Sequence, residues 1–357
     1  MVESKATSLL WGLVTGGLPR APETLSLPTL FEETCRQGLV SLLLAALDRG
    51  ELAWARPLHD ALVAERRRIL VRTLTQCELG ARAASLLSSR GMRTLPLKGV
   101  VVAETVCDAE SDRPMSDTDL LVLDRWNDAV SALRAAGFAE LLRGDHAWAF
   151  RDPGSNQVLE LHRSVTSASG LFPLDREGVW SRRRPGRRQQ PFVPSAEDLL
   201  LQLALHAGFQ HGFVLSLVQW LDFRRVLERE AIDFERLRAL AAAARAEAPL
   251  VAALLAAEAV VGVPFPEALG APRDRLPRAL RSWLTPRLAA PLGFVTPSKA
   301  ALGRARWLLL AGRRRELVWR TLVLPETPDG DTRLAARLSF AVRRAGRLVR
   351  TSLTALR

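Results

Sequence analysis

A chain of 357 residues, 48% of them apolar, can bury one large core or two ordinary ones, which excludes a disordered protein. Its net charge is +12, but from Lys299 to Arg357 there are 14 basic and 4 acidic residues, so most of the surplus sits in the C-terminal sixth rather than over the whole surface. Of 50 basic residues only three are lysine, a bias that a GC-rich genome produces unaided; arginine abundance therefore says little, and Lys98 stands out.

At the N-terminus, MVESKATSLLWGLVTGG holds only a short apolar run, and no stretch approaches the roughly 20 apolar residues that span a bilayer. Cys35, Cys77 and Cys107 are far apart, with no CxxC or metal-ligand spacing, and their odd count argues against a disulfide framework and fits a reducing compartment. A cytoplasmic location is expected. From about Thr24 to Arg90, apolar residues recur every three or four positions, so 1–90 is read as a helical lead-in that stops at Gly91.

The periodicity then changes. MRTLPL predicts a short strand, followed by Lys98-Gly99 and a helix over VVVAETVCDA. The polar loop ESDRPMS leads to a strand DTDLLVL, and Trp126 to Ala136 predicts a helix ending at Gly137. HAWAFRD and QVLELHRSV read as a strand pair separated by the turn-forming run Asp152-Pro153-Gly154-Ser155-Asn156. This makes 91–194 a compact α+β unit. After the connection SRRRPGRRQQPFVP, Ser195 caps the first of several long Ala- and Leu-rich helices that form a helical domain over 195–330, which prolines break up beyond Val261. Residues 331–357 read as a basic amphipathic helix, suited to docking on the domain or to an acidic surface such as a membrane or nucleic acid.

The chemistry concentrates in the α+β unit. Asp117 and Asp119 lie two apart at the start of a strand, so both point to one face. Such a pair can share divalent ions about 3.5–4 Å apart, as phosphoryl and nucleotidyl transfer require. Glu160 in VLELH, on the face of Val158 and His162, is placed to join them as a third metal ligand or as the base for an acceptor hydroxyl, with Asp145 and Asp152 as rivals. Lys98-Gly99 sits where a strand meets a helix N-terminus, a natural phosphate site. Arg113 is read either as a phosphate contact or as a solvated loop residue, and Ser116 joins the nucleotide-binding set.

LPLKGVVVAETVCDAESDRPMSDTDLLVL resembles the signature of a family of uncharacterised bacterial nucleotidyltransferases in the polymerase-beta-like superfamily. VLELHRSV and EDLLLQLALHAGFQHGFVLSLVQWLDFRRVL are similar to that family's later blocks, and the likeness covers roughly residues 60 to 230. The resemblance implies a small mixed-sheet nucleotidyltransferase core within an α+β fold, Mg²⁺ as a pair of ions held by Asp117, Asp119 and Glu160, and a nucleoside triphosphate as substrate. Lys98-Gly99-Val100 departs from the Gly-Ser or Gly-Gly turn of well-studied superfamily members, so the phosphate grip differs.

On the acceptor side, His206 and His211 are five apart, and a regular helix places them on different faces; His206 shares its face with Gln202 and Gln210. Asp222 is read as an acceptor-site residue or as a partner of Arg225. The expected pocket lies between the α+β unit and the helices after Ser195. The function expected is Mg²⁺-dependent transfer of a nucleoside monophosphate to a small molecule, peptide, protein or RNA, with pyrophosphate release. The alternatives are a degenerate nucleotide- or partner-binding module and a basic nucleic-acid-binding protein.

Overall fold

The computed structural model describes residues 5–17, 25–144, 146–166, 171–270 and 276–295. The predicted tail helix at 331–357 and the rival acid Asp145 lie outside these. The N-terminal part holds helices α1 (Lys5–Val14), α2 (Leu27–Gln37), α3 (Val40–Asp48) and α4 (His59–Ser88). Ser26 caps α2 by accepting from the Thr29 amide, and Gly38 ends it at φ 71°, the left-handed conformation that a side chain resists. The 30 residues of α4 span about 45 Å. Its buried stripe, Ile69, Thr73, Gln76, Gly80, Ala83 and Leu87, follows the helical period and lies across the sheet.

The α+β unit runs β1 (Thr94–Pro96), α5 (Lys98–Thr105), β2 (Thr118–Val122), α6 (Trp126–Ala135), β3 (Ala139–Arg143), β4 (Ala147–Arg151) and β5 (Val158–His162). The sheet order is β1-β2-β5-β4-β3, with β2 and β5 parallel and the other pairs antiparallel. The fold is thus α+β with a mixed sheet. β3 was not expected: Ala-Glu-Leu-Leu-Arg is made of helix formers, and as an exposed edge strand it carries none of the burial that marks the others.

β2 is buried along its whole length, so each face has its own core. Leu120 and Val122, with Leu159 and Leu161 of β5, pack under α4 and α6. Leu121, on the opposite face, joins the larger core built from α5 and the surrounding helices. Alternation therefore puts Asp119, Glu160 and His162 on the face away from α4 and α6.

A short helix α7 (Arg176–Ser181) and a two-residue ribbon, β6 (Arg184–Pro185) with β7 (Phe192–Val193), lead to α8 (Ala196–Leu205), α9 (Leu217–Arg229), α10 (Phe234–Ala243), α11 (Glu247–Val261) and α12 (Arg278–Leu288). Ser195 caps α8 by accepting from the Asp198 amide. Helices from both ends of the chain share the larger core. Trp11 donates its indole N–H to the Val260 carbonyl at 2.8 Å, and Gln37 accepts from the Leu217 amide at 2.8 Å. No helix among the described residues is long and apolar enough to cross a membrane.

Candidate active site

The parallel pairing of β2 with β5 sets Asp119 directly opposite Glu160. His162, fully buried on the same face, meets Asp119 Oδ1 through Nε2 at 2.6 Å and lies 3.4 Å from Glu160 Oε2. Asp119, Glu160 and His162 thereby bring ligand atoms within 4.8 Å of one another. The Lys98 ammonium also donates to Asp119 Oδ1, at 3.1 Å.

These contacts sort the charges. Burial alone would raise Asp119, but Lys98 and His162 outweigh it and hold the carboxyl well below its usual range. Glu160 is lowered, chiefly by its contact with His162. Burial lowers His162, yet the attraction and hydrogen bonds of Asp119 and Glu160 leave it raised, and the 2.6 Å contact orients Asp119. Asp117, which precedes β2, is different. Burial raises it first, and the neighbouring Asp119 and Glu160 raise it further against the weaker pull of Lys98 and a 3.2 Å bond from Ser116.

Lys98 opens α5 with φ 48°, a conformation uncommon for a side-chain-bearing residue. At Gly99 a Cβ would sit 3.1 Å from Met115 Sδ and 3.6 Å from Arg113 Nη2, so this turn is packed closely against the loop before β2. Arg113 is buried. Its Nε donates to both oxygens of Asp222, at 2.8 and 3.0 Å, and Nη1 to the Pro114 carbonyl at 2.7 Å. Asp222 thus has Arg113 as its main partner, with Arg225 at 3.7 Å. Asp152, the rival acid, is buried in the β4–β5 turn, where it accepts from the Ser155 amide at 2.8 Å and from Arg82 at 2.7 Å, away from the carboxylate pair.

A cavity of about 450 Å³ gathers Lys98, Gly99, Arg113, Ser116, Asp117, Asp119, His206, His211 and Asp222 in its wall. Glu160 stands beside Asp119 on the neighbouring strand and is not among the lining residues. The wall also takes Arg36 from α2 and Arg72 from α4. Neither signalled itself in a chain so rich in arginine.

The two histidines depart from the sequence expectation. Residues 206–210 wind as a π-helix, and the His211 amide bonds to the His206 carbonyl at 3.1 Å. That wider turn brings residues five apart into line, and the rings meet with centroids 4.3 Å apart on one face rather than on different ones. Gly208, Gly212 at φ 56° and Phe213 at φ 63° lie in and after the wide turn. Burial lowers His206 well below its ordinary value, and Lys98 and His211 add to the effect. Burial and then Lys98 lower His211 as well.

The family profile described as uncharacterised nucleotidyltransferase matches residues 28–262, from within α2 to the end of α11. The chain belongs to this nucleotidyltransferase family. No curated protein matches it. The solution structure of the antibiotic-resistance factor ANT(2'')-Ia is 15% identical with a TM-score of 0.35, covering 48% of this chain and 92% of that one. The crystal structure of an antigenic nucleotidyltransferase-like protein from Paracoccidioides brasiliensis is 14% identical with a TM-score of 0.35, covering 55% of this chain and 97% of that one.

The matched span of this nucleotidyltransferase contains every cavity residue named above. His162 was legible as the residue two after Glu160 on one strand face, but not as the partner of Asp119, because strand order cannot be read from the segments alone. His146, whose Nε2 meets Gln210 at 3.0 Å and whose ring lies 5.6 Å from that of His162, gave no signal at all.

Proposed function

We infer that the chain transfers a nucleoside monophosphate from a nucleoside triphosphate to an acceptor hydroxyl or phosphate, with Mg²⁺, releasing pyrophosphate. The observation that carries this reading is the crowding of three carboxylates, Asp117 and Asp119 in the cavity wall and Glu160 beside Asp119 on the next strand, with Asp117 raised by burial and then by its two neighbours. Lys98 and His162 neutralise Asp119, so the cluster as a whole is short of cationic charge around Asp117. Oxygen donors of this kind suit a hard cation, and Asp117, Asp119 and Glu160 are the residues that would hold it. Such ions, when bound, neutralise the triphosphate and favour attack at the α-phosphorus.

The other residues would position and orient. The α5 N-terminus and Gly99 would offer backbone amides to the phosphates, and Lys98, which reaches Asp119 at 3.1 Å, would add a positive charge. Arg36 and Arg72 stand in the same wall and would neutralise the outer phosphates. Arg113, tied to Asp222, would hold the loop that carries Ser116 and Asp117. His162 would keep Asp119 in a fixed orientation. Acceleration then comes from positioning and charge neutralisation.

Calorimetric titration of ATP, CTP, GTP and UTP with Mg²⁺ tests the reading on the wild-type chain and on Asp117→Ala/Asp119→Ala. Metal-dependent binding by the wild type alone is expected. Equal binding by both proteins would remove the carboxylates from the site.

The ion pair of Lys98 with Asp119 favours one second reading, a nucleotide-binding module in which the amino group takes the place of a cation and transfer is lost. Pyrophosphate release would exclude it.

A further inference from the structure

We propose that His206 is the residue that takes the proton from the attacking acceptor hydroxyl, and that Gln210 is the positioning residue that fixes its tautomer. The inference rests on the nucleotidyl-transfer reading and adds to it the group that activates the acceptor.

The geometry is as follows. His206 Nδ1 lies 2.6 Å from Gln210 Oε1, and Gln210 Nε2 lies 3.0 Å from His146 Nε2. An amide oxygen only accepts and an amide nitrogen only donates. His206 therefore carries its proton on Nδ1, and His146 accepts at Nε2. With Nδ1 committed to Gln210, the lone pair of His206 Nε2 is the one left to a ligand in the cavity that this ring lines. The arrangement is that of a base oriented by a third group. Helical spacing of four residues puts Gln210 beside His206, and the π-helix adds His211 to the same side of the turn at the cavity wall.

The ring is also in the correct charge state. Burial disfavours its imidazolium form, and so do Lys98 on α5 and His211 on the same turn; Asp119 on β2 acts the other way and is outweighed. His146 meets the other end of the Gln210 amide. This neutral imidazole, whose charge state both Lys98 and Asp119 influence, lines the same cavity as Asp117 and Asp119. Glu160, the other candidate for this task, stands beside Asp119 on the neighbouring strand, is in contact with His162 and is not among the lining residues of the cavity.

In the step, the acceptor O–H proton passes to His206 Nε2, and the oxygen's electron pair forms the bond to the α-phosphorus. The bond from that phosphorus to the bridging oxygen breaks, and its electron pair leaves with pyrophosphate. The imidazolium then gives its proton to solvent.

Long-range ¹H–¹⁵N spectra of the full chain labelled at histidine test the tautomer, with the His206 signals identified by their loss in His206→Gln. The Nδ1–H form is expected near neutral pH in the wild type and in Gln210→Glu, and a mixture of tautomers in Gln210→Leu. An Nε2–H ring or an imidazolium at neutral pH would overturn the proposal. With ATP, Mg²⁺ and water as the acceptor, His206→Gln should lower pyrophosphate release by about 100-fold or more. The low-pH limb of the wild-type rate should vanish in that variant, and a rate equal to wild type would count against the base. Absence of Mg²⁺·ATP binding by the wild-type chain would fail the underlying nucleotidyl-transfer reading instead, while the spectra still decide the tautomer.

Discussion

Two buried acids outside the carboxylate cluster show how a residue's surroundings decide its task. Asp222 has a side chain only 1% exposed, and burial raises it even though Arg113 and Arg225 attract its charge. Its two bonds satisfy Arg113, itself nearly enclosed. Asp222→Ala leaves a buried guanidinium without its counter-ion, a loss of about 3–5 kcal/mol. Chemical denaturation should show the drop, whereas Asp222→Asn should retain part of the stability. Asp152 works in the opposite sense. Burial opposes its ionisation, but the Ser155 hydroxyl and amide and then Arg82 outweigh that and hold it below the ordinary carboxylate range. A depressed carboxyl stabilises the fold above its unfolded pKa, and the contribution fades as pH falls through its folded value. Urea midpoints for wild type and Asp152→Asn should therefore differ at neutral pH and converge in acid. A gap that stays constant with pH would assign the difference to something other than ionisation.

Elements differ in how openly the sequence announces them. β1 and β2 were legible as short apolar runs between turn signals, β4 and β5 by alternation, and the Ser195 cap from Ser-Ala-Glu-Asp. β3 was hidden, since an edge strand has no buried face to pattern and its Glu140 is held by the flanking Arg134 and Arg143. The π-helix was hidden for another reason: a periodicity argument assumes 3.6 residues per turn, and one extra residue reverses which side chains are neighbours. Lys98, Asp117 and Asp119 were visible as local spacing, while Arg36, Arg72 and His146 come from elements far away in sequence. The turn after α2 depends on Gly38, whose positive φ is matched by a neighbour: a Cβ there would lie 2.6 Å from Val218 Cγ1. Gly38→Ala strains the backbone and pushes on α9, and should lower stability by about 1–3 kcal/mol. Thermal melting checks it, and an unchanged midpoint would mean that α2 and α9 separate without cost.

At the scale of the whole molecule, α1 belongs energetically to the far end of the chain. Leu9, Leu10, Leu13 and Val14 are buried in the core that α11 also fills. Each such side chain contributes about 1.5–3 kcal/mol, and a domain's net stability is on the order of 5–15 kcal/mol. Removal of residues 1–17 should therefore lower the melting midpoint by more than about 10 °C or cause aggregation. Circular dichroism melting of the shortened chain checks this, and a midpoint like that of the full chain would show that α1 is dispensable.

The cavity wall begins at Cys35 and closes only with Phe223. During synthesis the carboxylates on β2 and β5 therefore leave the ribosome well before π-helix and α9 exist to enclose them. A nascent chain would display acidic residues to solvent before the cavity that gathers them has closed. Competence would arise at a definite moment late in translation, when α9 docks against Gly38 and Arg113. On the proposed nucleotidyl-transfer reading, the growing polypeptide could not consume nucleotide until then.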